Sequence, residues 1–569
     1  MPETKSEKIL KDISDKTFEH EFYNNLPSGY KKGKTKYIVV TGSVISGIGK
    51  GTFTACLGNI LKLHHGFKVA PIKFDGYLNY DAGTLNPFRH GEVFVLNDGT
   101  ECDLDLGSYE RMISTNLTKS NYLTAGKIFK DLIDKERAGK YLGRDVQFIP
   151  HVTGEIKSFV RNLAVESDAD VVLIEVGGTV GDLENGYFIE AMRELAYEDG
   201  KENVCFVNVV YILEPGYMGE QKSKAAQLGL KSLMSMGIQP NIIVCRSENP
   251  ITTTIKEKIS VYSNVPVDQI VNAMDANNIY KIPIVLKDMG VDETVIRLLN
   301  LKKKNNGSDF AKWQKFADKM TEKNKEVTIG ITGKYTNVHD SYISIIKALE
   351  HSAPYVGAKV KMKWIETTDV TKDNVASKLD NVDGIIVPGG FGTRGAEGKI
   401  ECIRYARENK LPYFGLCYGF QMALVEYARN VCKLEGANST EIDDKAKYPV
   451  IDILPEQKEI QNLGGTMRLG GHDVVIKKGT RTHKLLGSDT VVRRFRHRFE
   501  CNPEYIETFE KNGIVFSGRA KDKRIMQILE LPGHPFFFGV QFHPEFTSRP
   551  LDPDPMYVEF IKVAMEKSA

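Results

Sequence analysis

The stretch KYIVVTGSVISGIGKGTFTACLG, residues 36–58, decides the fold of the first half of the chain. Its β-branched start predicts a buried strand, the glycines from Gly42 onward predict a turn, and the residues after Lys50 predict a helix. A strand that enters a helix through such a turn directs backbone N–H groups at an anion. Gly51, however, stands where the usual signature G-x-x-x-x-G-K-[ST] has a hydroxyl. The stretch predicts a phosphate site with an unusual metal arrangement or, alternatively, a structural turn.

The lysine favours the phosphate site. A cation at the start of a helix is unfavourable beside the positive end of the helix dipole unless an anion binds there. Because Gly51 has no hydroxyl for a magnesium ion, carboxylates elsewhere should supply the oxygen ligands. The candidates are Asp103 and Asp105 in CDLDLGSYER, Glu175 at the end of VVLIEV, and Asp182 and Glu184 after the next glycines. For each of them except Glu175, the alternative is an ordinary solvent-exposed carboxylate in a turn. Glu175 follows an apolar run, which makes a surface position hard to explain.

The composition limits the class of protein. The 76 basic and 74 acidic residues nearly cancel, which gives no indication of a nucleic-acid surface. Eight cysteines form no C-x-x-C pair, so neither a zinc ribbon nor a disulfide framework is predicted. No apolar run approaches the roughly 20 residues of a membrane span, and the N-terminus is too polar for a signal peptide. We expect a soluble, cytoplasmic protein without nucleic-acid or membrane partners.

The order of apolar runs predicts the domain organisation. Short β-branched runs alternate with helical patterns, which is typical of βαβ units around a parallel sheet. A lysine-rich stretch interrupts this alternation, and strand-like runs resume at VTIGITG. The predicted fold is α/β, with two doubly wound parallel-sheet domains joined by a linker. The predicted boundaries are a charged extension at 1–35, a first domain at 36–300, a linker with an amphipathic helix at 301–326, and a second domain at 327–569.

The second domain contains a candidate nucleophile. LPYFGLCYGFQMALVEYA, residues 411–428, predicts a strand, a sharp turn at Cys417 and a helix, and G-x-C-x-G permits a strained elbow that exposes the thiol. Downstream, His543 and Glu545 stand two positions apart on a predicted strand, so both can face the same way. The imidazole can then take the thiol proton while the carboxylate orients it. The turn at Gly389 and Gly390 suits an oxyanion donor. The alternatives are an inert core cysteine and an ordinary edge loop.

These three pieces resemble a class I glutamine amidotransferase. TGSVISGIGKG, GEVFVLNDGTECDLDLGSYER, GGTVGD, GEQKSK, IYKIP and ANSTE resemble in combination the CTP synthase family, from about residue 37 to 567. The resemblance implies a P-loop-like amidoligase domain followed by a class I glutaminase domain. It also implies that UTP is aminated to CTP through a 4-phospho-UTP intermediate, with ATP, Mg²⁺ and ammonia from L-glutamine. GTP as an activator and a homotetramer, a dimer of dimers, are further implications.

The resemblance also implies site residues, position by position. For ATP they are Ser46, Gly47, Ile48, Gly49, Lys50, Gly51, Lys73, Asp105, Arg246 and Asp275, with Asp105 and Glu175 as the magnesium ligands. For UTP or CTP they are Ser46, Asp182, Glu184, Lys222, Ser223, Lys224, Gln227 and Lys258. For glutamine they are Gly390, Tyr418, Gly419, Phe420, Gln421, Glu441 and Arg498, with Cys417, His543 and Glu545 as the catalytic triad.

The chain departs from the family pattern in three places. Residues 222–227 read KSKAAQ where the family reads K-T-K-P-T-Q. Gly76 replaces a proline, and Ser43 replaces the second glycine of the family's G-G-V motif. Loss of a hydroxyl can change substrate discrimination, so a paralogue acting on a modified pyrimidine nucleotide is the first alternative. A different ATP-dependent amidotransferase, such as a cobyrinate amidase type, is the second. A non-catalytic nucleotide-binding scaffold is the third, but it would not need all three triad residues.

Overall fold

A computed structural model describes residues 26–141, 143–216, 219–304, 308–334, 336, 338–453, 467–521 and 524–567. The chain divides into two compact units. We call Met1–Asp81 with Met112–Gln314 unit 1, and Ala82–Arg111 with Lys315–Ala569 unit 2. The predicted charged extension lies outside the described residues as far as residue 25, and so do residues 305–307 of the predicted linker. The predicted domain boundaries stay predictions.

Unit 1 contains a parallel sheet. The strands of the first half of the chain are β1 (Lys36–Gly42), β2 (Val69–Asp75), β3 (Phe94–Val95), β4 (Glu101–Cys102), β5 (Tyr122–Thr124), β6 (Val171–Val176), β7 (Val204–Tyr211), β8 (Ile242–Ser247) and β9 (Ile270–Met274). The sheet order is β5-β2-β6-β1-β7-β8-β9, and every neighbouring pair is parallel. Strand β1 shows why the sequence forms it: Tyr37 and Val39 enter one core cluster, while Ile38 and Val40 are buried on the opposite face.

Helices connect these strands. They are α1 (Lys50–Asn59), α2 (Pro87–His90), α3 (Leu104–Ile113), α4 (Ala125–Arg137), α5 (Thr153–Glu166), α6 (Gly186–Asp199), α7 (Lys224–Ser235), α8 (Thr253–Ser263), α9 (Ile282–Asp288), α10 (Val291–Leu298) and α11 (Ser308–Lys319). Strand β1 ends where the glycine-rich turn begins, and its Val40 pairs in register with Glu175 of β6. The turn and the end of β6 therefore lie at the same edge of the sheet, the edge at which α/β sheets bind ligands.

Unit 2 contains a larger, mixed sheet. The strands of the second half are β10 (Lys325–Gly333), β11 (Ala358–Glu366), β12 (Gly384–Val387), β13 (Tyr413–Leu416), β14 (Ala437–Ser439), β15 (Tyr448–Ile453), β16 (Arg468–Ile476), β17 (Thr490–His497), β18 (Phe499–Cys501), β19 (Val515–Ala520), β20 (Met526–Glu530) and β21 (Phe537–Val540). The sheet order is β11-β10-β12-β13-β21-β20-β19-β16-β17. Alternate residues of β12 separate the two layers of the core, because Ile385 and Val387 enter one cluster and Ile386 enters the other.

The helices of this half are α12 (Ile343–Ser352), α13 (Val375–Lys378), α14 (Ala396–Glu408), α15 (Tyr418–Asn430), α16 (Arg481–Leu486), α17 (Ile506–Lys511) and α18 (Pro555–Lys567). The predicted α/β class is confirmed, but the second sheet is parallel only from β11 to β21. Strands β20, β19, β16 and β17 join antiparallel. The connection between β19 and β20 is too short for a parallel crossover. Among the described helices, none combines the length and apolarity needed to span a bilayer.

Candidate functional site

A strained elbow carries the candidate nucleophile. Cys417 lies between β13 and α15 with φ 50° and ψ −97°, a backbone conformation that residues other than glycine rarely adopt. Its flanking glycines are required by close packing. A Cβ at Gly415 would lie 2.1 Å from the Tyr413 hydroxyl, and one at Gly419 would lie 2.2 Å from the Val387 carbonyl oxygen. Only glycine at both positions lets the chain turn tightly enough to place Cys417, which is buried from bulk solvent, in the wall of a cavity at the end of β13.

The histidine and the carboxylate form the expected pair. His543 Nδ1 and Glu545 Oε1 lie 2.7 Å apart, both side chains are buried, and the imidazole stacks on Phe546 at 4.7 Å between ring centroids. The turn at Gly389 packs against two members of the triad, because a Cβ there would lie 2.9 Å from His543 Cε1 and 3.6 Å from Cys417 Cβ. The imidazole and the thiol therefore lie on the same side of that turn.

Electrostatics favours a protonated imidazole. Burial alone would lower the pKa of His543, but the negative charges of Glu545 and of Cys417 as a thiolate, with their hydrogen bonds, raise it to about 10. Because Nδ1 is held by Glu545, Nε2 is the nitrogen left to serve the thiol or a reacting group. A cavity of about 270 Å³ opens onto the pair and is also lined by Cys417, Gly389 and Gly390.

The predicted glutamine residues surround the turn that follows the oxyanion candidates. The Tyr418 hydroxyl donates to the Gly392 carbonyl oxygen at 2.8 Å, and Glu441 Oε1 accepts from the Gly392 N–H at 2.7 Å. Burial raises the pKa of Glu441, although the hydrogen bond from Gly392 and the positive charges of Lys334 and Arg498 act to lower it. Of the predicted glutamine residues, Tyr418 and Glu441 thus meet at Gly392, the charge of Arg498 acts on Glu441, and Gly390 lies in the cavity wall.

Three predicted glutamine residues contribute differently. Gln421 Nε2 donates to the Phe499 carbonyl oxygen at 2.8 Å and to Gln541 Oε1 at 3.3 Å. Phe420 is fully buried in the core cluster below the elbow, and Gly419 meets β12. Phe420 and Gly419 therefore support the elbow by packing, whereas Gln421 orients a neighbouring amide.

Three residues at this site were missed by the sequence reasoning. Gln541 Nε2 lies 3.6 Å from Cys417 Sγ. Lys399 on α14 is 2% exposed, donates to the Pro388 carbonyl oxygen at 3.3 Å and lies 5.0 Å above the Tyr418 ring. Glu92 lines the cavity, and burial raises its pKa to about 7 despite hydrogen bonds from Ser344. Glu92 and Gln541 had a signal in the sequence, since Glu92 lies in GEVFV, a motif used for the resemblance, and Gln541 stands two positions before His543.

Unit 1 holds the candidate phosphate loop. Gly49 precedes α1 with φ 89°, and Lys50 folds back against Gly42, where a Cβ would lie 2.8 Å from Lys50 Cδ. The Lys50 ammonium donates to the Gly178 carbonyl oxygen at 2.6 Å. Ser46 and Gly47 are exposed, and Gly51 forms part of the first turn of α1. The loop thus presents its backbone at the ligand-binding edge of the sheet, with a lysine beside it.

The second predicted lysine pairs with a predicted metal ligand. Lys73 and Glu175 are register partners on β2 and β6, and Lys73 Nζ lies 3.0 Å from Glu175 Oε1. Both side chains are buried, at 8% and 2% exposure. Asp105, the other predicted ligand, belongs to unit 2, so a shared ion stays a prediction.

The remaining ATP residues line a second cavity. It has a volume of about 110 Å³ and its wall includes Ile48, Gly49, Arg246 and Asp275. Arg246 Nη2 pairs with Asp275 Oδ1 at 2.6 Å. The other side of the wall is apolar and consists of Val209, Val244, Ile282, Val285 and Leu286. A flat apolar slot beside a phosphate loop suits a nucleobase.

The predicted UTP residues fall into two groups. After β6, Asp182 Oδ2 accepts from the Thr179 N–H at 2.7 Å, and Glu184 packs against Gly76. After β7, Gln227 Nε2 donates to Ser223 Oγ at 3.1 Å. The lysines of this second group are Lys222, which pairs with Glu220, Lys258, whose charge acts on the same Glu220, and Lys224, 5.8 Å above the Tyr262 ring.

Two departures from the family pattern have a physical context. Ala226 is fully buried in a core cluster with Leu230 and Ile243, so its methyl group faces the protein interior. Gly76 admits the backbone of Glu184, because a Cβ at this position would lie 2.9 Å from the Glu184 carbonyl oxygen. The change at residue 226 is therefore a packing change, and the change at residue 76 lets the Glu184 turn approach β2.

Comparison with known proteins follows the same division of the chain. Residues 36–301 match the family model described as CTP synthase N-terminus, and residues 337–563 match glutamine amidotransferase class-I. The fold and site define a glutamine-hydrolysing ligase. A CTP synthase from Thermococcus gammatolerans is 50% identical over 534 residues, which are 94% of this chain and 99% of that protein. The chain belongs to the CTP synthase family, and the predicted resemblance is confirmed.

A second relative of similar length agrees. A CTP synthase from Clostridium acetobutylicum is 48% identical over 93% of this chain and 99% of its own length. Among solved structures, the glutaminase domain of a Trypanosoma brucei CTPS with bound acivicin is 35% identical, with a TM-score of 0.40, covering 42% of this chain and 94% of that one. Near-complete coverage by full-length relatives makes a cobyrinate amidase type untenable as the family of this chain.

Proposed function

We propose that this chain aminates UTP to CTP, with ATP to activate the uracil and L-glutamine as the nitrogen source. Membership of the CTP synthase family supports this reaction. One observation carries the proposal beyond the family name. Cys417, on its strained elbow, lines a single cavity together with His543 and Glu545, an arrangement that a non-catalytic scaffold would have no reason to maintain.

The glutaminase half of the reaction follows from that cavity. Cys417 Sγ attacks the glutamine amide carbon, and the protonated His543 gives its proton to the departing ammonia. Backbone N–H groups at Gly390 and Tyr418 stabilise the oxyanion, while Glu545 holds the imidazole. Water, deprotonated by His543, then hydrolyses the thioester, releasing glutamate and restoring the thiol.

The synthase half uses the residues of unit 1. The ammonium groups of Lys50 and Lys73 stabilise the charge of the γ-phosphoryl group as it moves from ATP to O4 of UTP. Ammonia then attacks C4, and phosphate leaves. Glu175 places carboxylate oxygens beside Lys73 at the end of β6, a donor type that suits Mg²⁺, and Asp105 is the second ligand that we propose. When bound, Mg²⁺ neutralises phosphate charge.

The finer properties rest on the family resemblance. Activation by GTP, assembly as a dimer of dimers and a cytoplasmic location are included in the proposal on that basis alone. A modified pyrimidine nucleotide as the true substrate finds no support at Ala226, whose side chain is in the core. Ala225, half-buried in the first turn of α7, keeps this alternative testable.

Product analysis tests the proposal. The full chain is incubated with ATP, Mg²⁺, UTP and either glutamine or ammonium, and the nucleotides are separated. We expect CTP, ADP and phosphate in equal amounts from both nitrogen sources, because each amination consumes one phosphoryl group. A parallel reaction with UTP substituted at C5 should be slower. Failure to consume UTP with either nitrogen source, together with turnover of the substituted nucleotide, would overturn the proposal in favour of a paralogue.

A further inference from the structure

Two histidines and an aspartate meet in unit 1, and none of them is assigned a role in the proposed reaction. His64 and His65 stand at the end of the π-helical turn Ile60–His64, which continues α1, and Asp292 is the second residue of α10. Each residue offers one ligand atom, and these three atoms lie within 4.8 Å of one another. His65 and Asp292 are buried.

The ordinary explanation is a buried histidine–aspartate pair. His65 Nε2 and Asp292 Oδ2 indeed lie 2.8 Å apart. That pair leaves Asp292 Oδ1 buried, and this oxygen has no hydrogen-bond partner among the described residues. An unsatisfied buried carboxylate oxygen is costly. The pair also gives no reason for a second imidazole within reach.

We propose that His64, His65 and Asp292 bind one divalent transition-metal ion of the zinc class. Two imidazole nitrogens and a carboxylate oxygen form a ligand set that Zn²⁺ accepts, with water as a fourth ligand. Tetrahedral coordination with bonds of about 2.0–2.1 Å separates neighbouring ligand atoms by about 3.3 Å. The widest separation, at most 4.8 Å, must close by about 1.5 Å, which rotation of His64, the more exposed residue, can provide, and the 2.8 Å His65–Asp292 pair must open by about 0.5 Å.

The surroundings combine charges of both signs with apolar rings. Asp292 and Glu293 act on His64 as negative charges, whereas His65 and Lys287 act on it as positive ones. The Phe310 ring lies 5.4 Å from the His64 ring, and the Phe67 ring lies 6.0 Å from the His65 ring. An apolar shell of this kind restricts water and strengthens metal–ligand interactions.

The consequence of the site is structural. Helix α1 begins at Lys50 of the candidate phosphate loop, and the metal would tie the continuation of this helix to α10. Binding of a ligand to the folded state alone stabilises that state. We therefore expect the ion to raise the thermal stability of unit 1, independently of the amination reaction.

Cobalt and zinc binding to the full chain tests the inference. The protein is stripped with a chelator, mixed with Co²⁺ and freed of excess metal by gel filtration. We expect one Co²⁺ per chain, tetrahedral d–d absorption bands and none of the charge-transfer bands that thiolate ligands produce. Zn²⁺ should displace Co²⁺ and raise the melting temperature by several degrees.

Variants identify the ligands. H64Q should weaken metal binding at least about tenfold, since even outer-shell changes cost this much, and it leaves the His65–Asp292 pair to support folding. H483Q is the matched control, because His483 Nε2 and Asp489 Oδ1 also form a 2.9 Å pair but belong to no three-ligand group within the described part of the chain. D292N should abolish binding. The inference is overturned if the wild-type chain retains no Co²⁺, or if H64Q retains as much as H483Q.

Discussion

At the scale of single residues, the elbow concentrates backbone strain at Cys417. A non-glycine residue with φ 50° and ψ −97° costs about 1–3 kcal/mol of backbone strain, and this strain persists only where the surrounding structure enforces it. The sequence could predict this feature because the glycines of G-x-C-x-G are local. The pairing of His543 with Glu545 was expected from alternation along a strand. In the structure Glu545 instead lies in the 3-10 turn Pro544–Phe546, beyond the end of β21, and this turn brings the two side chains together.

Glu545→Gln should change the pH dependence of stability. The pKa of His543 is raised to about 10 in the folded protein, above its usual 6.5, so the charged imidazole stabilises the fold fully below pH 6.5 and loses this effect as pH rises through 10. Removing the carboxylate removes much of that stabilisation. In urea unfolding, the free energy of unfolding of Glu545→Gln should therefore fall furthest below that of the unsubstituted chain near pH 6, and less near pH 10. Glutaminase kcat should fall about 100-fold or more.

Glu507→Gln is the control for that measurement. Glu507 is 67% exposed and pairs with Arg524 at 3.3 Å, so its loss should shift the unfolding midpoint little at either pH. A Glu545→Gln penalty that stays constant from pH 6 to pH 10 would contradict the assigned charge state of His543.

Lys399→Met should impair the oxyanion turn. Lys399 is a positioning residue, since its ammonium holds the Pro388 carbonyl oxygen just before Gly389. Burial, followed by the charge of Lys334, lowers the pKa of Lys399 to about 7. We expect glutaminase kcat to fall about 10-fold, less than for loss of an oxyanion donor, with a smaller change in KM. The kcat–pH profile should also lose an inflection near pH 7.

The control is Lys363→Met, because Lys363 also donates to a backbone carbonyl oxygen, that of Asp380, but on the exposed surface. Unchanged kcat and an unchanged pH profile in Lys399→Met would refute the positioning role. The sequence could not indicate Lys399, because a lysine in an amphipathic helix normally faces solvent. Its burial depends on the distant turn and on Tyr418.

At the scale of elements, the tight contact between β12 and α15 fixes the elbow. Gly419→Ala would place a methyl group 2.2 Å from the Val387 carbonyl oxygen, a backbone atom that can move only with the strand. We expect a loss of about 1–3 kcal/mol in the free energy of unfolding. Glutaminase activity should fall steeply, since Val387 leads directly into the oxyanion turn.

Gly186→Ala is the control, because nothing lies within 4 Å of a Cβ at Gly186, the first residue of α6. It should be neutral or slightly stabilising in urea unfolding. Equal stability and activity of the two alanine variants would show that the elbow tolerates a side chain at residue 419.

The elements also show where sequence reasoning stops. The strands of unit 1 were predictable because both faces are buried, which produces continuous apolar runs such as that of β1. The antiparallel half of the unit 2 sheet was not, since β16 to β20 contain polar and glycine residues whose pairing depends on neighbours far along the chain. Strand direction there follows from connection length, which patterns of hydrophobicity do not report.

At the scale of the whole molecule, the segment Ala82–Arg111, which is distant in sequence from the rest of unit 2, packs into that unit. Glu110 is fully buried, and its carboxylate accepts from Arg494 at 2.8 and 3.1 Å and from Arg549 at 2.6 Å. These partners follow Glu110 by 384 and 439 residues. No local pattern could reveal this cluster, because each member alone resembles a surface charge.

Glu110→Gln should destabilise unit 2 strongly. Burial already lowers the pKa of Arg549 to about 10 even with Glu110 present, so the neutral amide would leave two buried guanidinium groups short of their counter-charge. We expect a loss of about 3–5 kcal/mol in urea unfolding. Glu326→Gln, at an exposed pair with Lys361, should cost under about 1 kcal/mol. Similar losses in both variants would contradict a structural role for the buried cluster.

The central claim is that one polypeptide releases ammonia at Cys417 and consumes it at a separate nucleotide site. CTP formation by Cys417→Ala, measured side by side with glutamine and with ammonium as nitrogen donors, tests this division most directly. We expect no detectable glutamine-driven synthesis and an ammonium-driven rate within about twofold of the unsubstituted chain, because the thiol serves only the first step. Loss of both activities, or persistence of glutamine-driven synthesis, would contradict the account.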